Sequence, residues 1–127
     1  MKVVIAGSSG ITDPDLVRQA LIEAKKQGIR ATEVVCGSAG SIESIGETLA
    51  EQYHIPVTHF PAEWEKHGPT AGFLRNRQMA RYADALVAIT AGSRETANLI
   101  RVMKFLKKPV YVKQLADPSS PPARFPR

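Results

Sequence analysis

The first ten residues, MKVVIAGSSG (1–10), decide the fold. Val3, Val4, Ile5 and Ala6 form an unbroken apolar run that stops at Gly7-Ser8-Ser9-Gly10, and ITDPD (11–15) then opens a helical pattern. A short apolar run bounded by turn residues and handed on to a helix reads as a buried strand of a parallel sheet. The loop that ends it is either a plain turn or a cradle for phosphate.

The same alternation continues along the chain. Asp13 can cap a first helix with Pro14 in its first turn. Leu16, Val17, Ala20, Leu21 and Ala24 share one face at helical spacing, and Gly28 stops the pattern. A second strand is predicted over Thr32–Cys36, and a second helix carries Ile42, Ile45, Leu49 and Tyr53 on one face. A third strand follows over Pro56–Phe60. PAEWEKHGPTAG (61–72) reads as irregular and leads to a third helix over Phe73–Tyr82. Ala85–Ile89 is the clearest strand. A fourth helix with Leu99, Ile100, Met103 and Leu106 on one face precedes a fifth strand, Val110–Val112. Five short apolar strands separated by helices predict an α/β, Rossmann-like doubly wound parallel sheet, helices on both faces, in the order 3-2-1-4-5.

The chain has 127 residues, which suits one domain, expected over 1–113. Residues 114–127, rich in proline and polar residues, read as an extended or mobile tail. No apolar run approaches the roughly 20 residues of a membrane span, and no signal peptide is read at the N-terminus. Cys36 is the only cysteine, which leaves no intrachain disulfide and fits a reducing, cytoplasmic compartment. At the end of an apolar run it reads as a small buried residue, the alternative being a reactive thiol. No His, Cys and Asp grouping has metal-ligand spacing, and neither a metal nor a cofactor is expected.

The net charge of +5 is unevenly spread. Residues 1–65 carry 5 Lys/Arg against 9 Asp/Glu, and residues 66–127 carry 12 against 3. A basic half suggests an anionic partner. Lys104, Lys107 and Lys108 can be read as a helix end, where cations suit the dipole. That does not cover Arg75, Arg77 and Arg94.

Ligands of open parallel sheets bind beyond the carboxyl ends of the strands. Three loops there are small or glycine-containing: GSSG (7–10), CGSAGS (36–41) and TAGSRET (90–96). Glycine lets backbone approach a ligand, and the next helix offers its free N–H groups. Gly7, Ser8, Ser9, Gly37, Ser38, Ala39, Gly40, Gly92 and Ser93 are therefore candidate donors, with Glu43 and Thr96 beside them. None of the loops matches GxGxxG or GxxxxGK[ST], so neither a standard dinucleotide fingerprint nor a P-loop is supported. In GPTAGFLRNRQMA (68–80), Arg75, Asn76 and Arg77 lie near a helix start, where cations oppose the dipole. Arg75, Arg77 and Arg94 are assigned to neutralise an anion, and Asn76 to read a sugar or base; the plain alternative is a surface salt bridge. Trp64 is either a packing anchor or a stacking platform. His67 is a candidate acid–base group or an ordinary loop residue, and His54 and His59 read as structural.

GSSGITD (7–13), CGSAGSIESIGE (36–47), FPAEWEKHGPTAGFLRNRQMA (60–80) and ADALVAITAGSRET (83–96) together resemble the SLOG superfamily, which unites DprA/Smf with the LOG phosphoribohydrolases. The resemblance spans residues 2–112 and is nearest to the small YspA-like, YpsA-related branch. It implies a Rossmann-like domain that binds a nucleotide or nucleotide-derived ligand. The chain departs from the branch pattern at several positions. Ser9 stands where the branch has arginine, the second loop lacks another arginine, Glu43 replaces an aspartate, and Glu63 and Glu65 replace aspartates around Trp64. Glu95 replaces a glycine before Thr96.

The LOG enzymes remove a base from a nucleoside monophosphate, with an arginine four residues before a methionine and a GGxGTxxE loop. Arg75 stands four before Met79, so the first part is matched. Ala97, Asn98 and Leu99 follow Thr96, so the glutamate of the second part is missing; Glu43, Glu63 or Glu65 are possible substitutes. The reading is a sensor or binding module for a phosphate-bearing nucleotide, with a LOG-like N-glycosidase as the alternative. Whether the protein is an enzyme stays open. DprA-like single-stranded DNA binding is a third reading, kept open by the basic half, although no aromatic–basic alternation stands out. A homodimer contact is expected around Leu99–Leu106.

Overall fold

The structure is a computed structural model that describes residues 1–8, 11–37, 41–62 and 64–115. Ser9, Gly10, Ser38, Ala39, Gly40, Glu63 and the tail from 116 onward lie outside the described residues. Five parallel strands form one sheet in the order β3-β2-β1-β4-β5. They are β1 Lys2–Gly7, β2 Glu33–Cys36, β3 Val57–His59, β4 Ala85–Thr90 and β5 Val110–Gln114. The helices are α1 Pro14–Lys26, α2 Ser41–Gln52, α3 Trp64–His67, α4 Ala71–Tyr82 and α5 Arg94–Phe105, with a 3-10 turn at Gly68–Thr70 between α3 and α4. The predicted class and strand order hold.

Side chains alternate across a strand, so each inner strand feeds two cores. Val3 and Ile5, Val34 and Cys36, and Ala85, Val87 and Ile89 pack with Val17, Ala20 and Ala24 of α1 and Ile42 and Leu49 of α2. Val4 and Ala6, Val35, and Leu86 and Ala88 pack with Met79 and Ala80 of α4 and Leu99 and Met103 of α5. Every residue of β4 is buried, as a strand covered on both faces requires.

Local signals explain the ends. The Asp13 side chain accepts from the Asp15 N–H at the start of α1, and Gly28 turns the chain after it at φ +92°. Lys108 closes α4 from a distance: its ammonium donates to the carbonyls of Ala80 and Ala83 at 2.7 Å each and of Arg81 at 3.1 Å. The cation does serve a helix end, but that of α4 rather than of α5, the helix it follows in the chain.

Two expectations are corrected. Tyr53 is not on the buried face of α2; the helix ends at Gln52, the chain turns through His54 at φ 57°, and Tyr53 is 66% exposed. Leu106 likewise falls just past α5, beside Lys107 at φ 59°, and stands exposed. The stretch before α4 also contains a short helix, α3, where an irregular segment is expected. No helix among the described residues is long and apolar enough to cross a membrane.

Candidate functional site

β2 and β3 lie to one side of β1, and β4 and β5 to the other, so the order of the strands reverses between β1 and β4. Crevices at such switch points hold the ligands of open α/β sheets. Here a cavity of about 120 Å3 opens beyond the carboxyl end of β1. Ala6 and Gly7 form its floor, Gly37 and Glu43 one wall, and Arg75, Asn76 and Met79 of α4 the wall opposite. Ser93, Glu95, Thr96 and Leu99 close it from the α5 side.

Two glycines make the approach of these elements possible. A Cβ on Gly7 would stand 2.4 Å from the Ile89 carbonyl oxygen and 2.8 Å from Cγ1 of Ile42. A Cβ on Gly37 would stand 2.8 Å from both Cδ and Nη1 of Arg75 and 2.9 Å from Cε of Met79. Gly37 is therefore the space that Arg75 occupies.

Arg75 is the central cation, only 7% exposed. Its Nη1 donates to the Gly37 carbonyl, its Nε donates to Oδ1 of Asn76 at 3.2 Å, and its Nη2 lies 3.8 Å from Oε1 of Glu95. Among the described residues, these contacts leave part of its five-donor fork unfilled. Both amide hydrogens of Asn76 are used: its amide donates to the Glu95 carbonyl at 3.0 Å and to Oδ1 of Asn98 at 3.2 Å. It fixes α4 to α5 and holds Arg75 in place. The side chain assigned to read a sugar or base has its hydrogen bonds inside the protein.

Glu43 is buried in the wall of the cavity. Burial holds its carboxyl above the ordinary carboxylate range, against the lowering effects of its own and Gly7's backbone N–H groups and of the Arg75 charge. A carboxyl held toward its neutral form donates as well as accepts. It also leaves the Arg75 charge less cancelled than a plain ion pair would. Glu95, half-exposed, faces the same space.

Ser8 has a different task from the one its loop suggests. Its Oγ accepts from the N–H of Ala91 at 2.8 Å and of Ser93 at 3.3 Å, and lies 3.3 Å from Oγ1 of Thr90. With two bonds accepted, its proton goes to Thr90. Thr90 Oγ1 in turn accepts from the Gly92 N–H at 3.1 Å, and Ser93 Oγ accepts from the Thr96 N–H at 3.4 Å as the cap of α5. The β4–α5 loop thus spends its N–H groups on its own shape. Among the described residues, the N–H groups of Arg94 and Glu95 remain unpartnered in the first turn of α5.

Gly7, Gly37, Glu43, Arg75, Asn76, Ser93 and Thr96 are brought to the cavity. Arg77 is not: it lies in a shallow depression with His67, Leu74, Gln78 and Arg81. Arg94 sits with Phe73, Ala97, Asn98 and Arg101 in a groove between α4 and α5, and Gly92 is exposed at φ +108°. Trp64 opens α3. Met79, Leu99, Ala6 and Glu95 are lining residues that the loop chemistry did not single out as binding groups. Cys36 is fully buried with its thiol pushed up to about 12, first by burial and then by Glu47 and Glu43, so it is a packing residue.

No curated protein and no solved structure matches the chain significantly. The model of the YAcAr family, described as the YspA, cpYpsA-related SLOG family, matches residues 1–67, which carry β1, β2, α2 and the Gly7, Gly37 and Glu43 side of the cavity. That match extends over more than half of the 127 residues, and the chain belongs to the YspA, cpYpsA-related SLOG family.

Proposed function

We propose that the protein binds a phosphate-bearing nucleotide or nucleotide derivative, with an anionic group seated against Arg75. The single observation that carries this reading is the buried guanidinium of Arg75, partly unfilled among the described residues, in a cavity flanked by the starts of α2 and α5. Helix N-termini favour anions, and an arginine fork matches phosphate in two bonds. The cavity, at about 120 Å3, is smaller than the roughly 300–1,000 Å3 of sites that enclose a drug-sized ligand. It suits one phosphate-sized group, with the sugar and base lying outside it.

The test is a thermal-shift screen against inorganic phosphate, nucleoside mono-, di- and triphosphates, ADP-ribose and cyclic nucleotides. Specific ligands stabilise the fold by linkage. Stabilisation by a phosphorylated nucleoside, absent with the unphosphorylated nucleoside and lost in Arg75→Ala, is expected. Arg75→Lys keeps a cation in the same space and checks that the fold survives. Equal shifts for wild type and Arg75→Ala overturn the assignment.

A second reading, removal of the base from a nucleotide, is favoured by one further observation. Two carboxyl groups, Glu43 held toward its protonated form and Glu95 beside Arg75, line the same cavity. Pairs of carboxyl groups in different environments serve hydrolysis at an anomeric carbon: one stabilises the developing oxocarbenium ion or activates water, the other protonates the leaving group. Chromatography of each stabilising ligand decides this. Free base that accumulates with wild type and not with Glu43→Gln makes the site catalytic; intact ligand makes it a binding site.

A further inference from the structure

At the other end of the strands, α1 and α2 leave between them a cleft of about 380 Å3. Leu21 and Ile55 line it partly buried, and Val3, Leu49 and Val87 lie buried beneath it. Ile22 and Tyr53, 51% and 66% exposed, stand at the cleft although packing of the core does not need them there. Ile29, Ala31 and Ile55, which precede β2 and β3, place it away from the cavity of Arg75.

Its charged lining is of one sign. Among the described residues, Arg18, Lys25 and Arg30 line the cleft and no carboxylate does. Arg18 is paired with Asp15 at 2.5 Å, but Lys25 and Arg30 make no ion pair among the described residues. Lys25 suits the end of α1, where cations complement the dipole; no such explanation covers Arg30.

We propose that this cleft binds a small amphipathic organic anion. Its hydrocarbon body lies over Leu21, Ile22 and Tyr53, and its carboxylate meets Lys25 and Arg30. The volume falls within the range of small-molecule sites, about 300–1,000 Å3. Charge selects the class of occupant. A second copy packed here about a two-fold axis would bring the same cations toward one another. The chain's own segment 116–127 carries Arg124 and Arg127 against Asp117 alone, so it is cationic too. A monocarboxylate with a medium-length hydrocarbon chain satisfies both the apolar walls and the cations.

The experiment titrates the full chain with decanoate and with decanol, following amide chemical shifts, and repeats both with Lys25→Glu/Arg30→Glu. Decanoate is expected to saturate with shifts centred on α1 and Tyr53, about tenfold more tightly than decanol, the worth of one charge-assisted contact. The double variant is expected to fold and to bind decanoate no better than decanol. Arg75→Ala protein is expected to bind decanoate like wild type, which separates this site from the nucleotide reading. Absence of saturable binding, equal affinity for decanoate and decanol in wild type, or unchanged decanoate affinity in the double variant overturns the proposal. Sedimentation showing a dimer that Tyr53→Glu dissociates, without decanoate binding, overturns it in favour of a second copy.

Discussion

Arg75 and Glu95 face each other across the cavity with Nη2 and Oε1 3.8 Å apart, a separation at which they attract without a tight hydrogen bond. Arg75 is held from below by Gly37 and from the side by Asn76, whereas the Glu95 side chain is half-exposed and makes no hydrogen bond among the described residues. An incoming phosphate therefore competes with one weakly held carboxylate. Glu95→Gln is expected to strengthen phosphate and nucleotide binding by about fivefold, the equivalent of ~1 kcal/mol. Stability should change by no more than about 0.5 kcal/mol, as for an exposed partner. Calorimetric titration with phosphate checks the first and urea unfolding the second; weaker binding would make Glu95 a ligand-contacting group instead.

The two close-approach glycines predict opposite outcomes. In Gly7→Ala the new methyl meets the Ile89 carbonyl, which is fixed in β4 and already accepts from the Ser8 N–H at 3.1 Å. Backbone must move, and a loss of about 3 kcal/mol or more is expected, at the upper end of overpacking costs. In Gly37→Ala the methyl meets the Arg75 and Met79 side chains, which can yield. That variant should fold with a loss of about 1 kcal/mol and lose phosphate binding because Arg75 is displaced. Circular dichroism with a phosphate titration separates the two.

The fold was readable because each inner strand is a short apolar run ended by small residues. The apolar spacing overruns two helix ends for a physical reason. Tyr53 and Leu106 continue the apolar spacing of α2 and α5, but His54 and Lys107 take left-handed backbone conformations that their side chains do not announce. The candidate site was legible by residue type and not by partner. Ser8 and Asn76 are the polar residues a ligand would need, yet Ser8 bonds to residues 82 to 85 positions away and Asn76 to residues 19 and 22 away. Glu95, which breaks the family's loop pattern, reaches the cavity only because α5 begins at Arg94 and packs against α4.

Glu43 predicts a pH dependence. Its folded-state affinity for a proton exceeds that of the unfolded chain, whose ordinary value is 4.5. The folded protein therefore binds more protons in the window above 4.5, and stability falls as pH rises through the raised pKa. Glu43→Gln removes that dependence while its amide oxygen can still accept from the same N–H groups. The variant is expected to match wild type near pH 4 and to be the more stable of the two at pH 7. Urea midpoints across that range check it; parallel curves would mean the carboxylate ionises in the fold without cost.

Lys108 predicts a stability effect remote from any site. Its ammonium satisfies three carbonyls at the end of α4, where no intrahelical donor remains. Lys108→Met keeps the stem and removes all three bonds. A loss of about 2 kcal/mol is expected, in the range for hydrogen bonds to charged groups, with an unchanged urea slope. Phosphate binding at Arg75 should stay as it is, since Lys108 does not line that cavity.

Four arginines of the basic half stand on the exposed faces of α4 and α5. Phe73, Arg77 and Arg81 repeat every four residues on α4, and Arg94, Asn98, Arg101 and Phe105 follow at helical spacing on α5. Residues so spaced share a helix face, which puts Phe73 with Arg77 and Arg81 on α4 and Phe105 with Arg94 and Arg101 on α5. α4 and α5 pack side by side through the Asn76–Asn98 bond. All four arginines are exposed and none is in an ion pair among the described residues, while Phe105 is 83% exposed. Cations with stacking aromatics favour single-stranded nucleic acid. Weak oligonucleotide binding is expected, falling with salt, its log–log slope reduced by roughly 0.7 for each phosphate contact removed. Arg77→Glu/Arg101→Glu should abolish it and leave phosphate binding at Arg75 intact. Oligonucleotide binding that survives this double variant and is lost in Arg75→Ala would place the nucleic acid at the cavity instead.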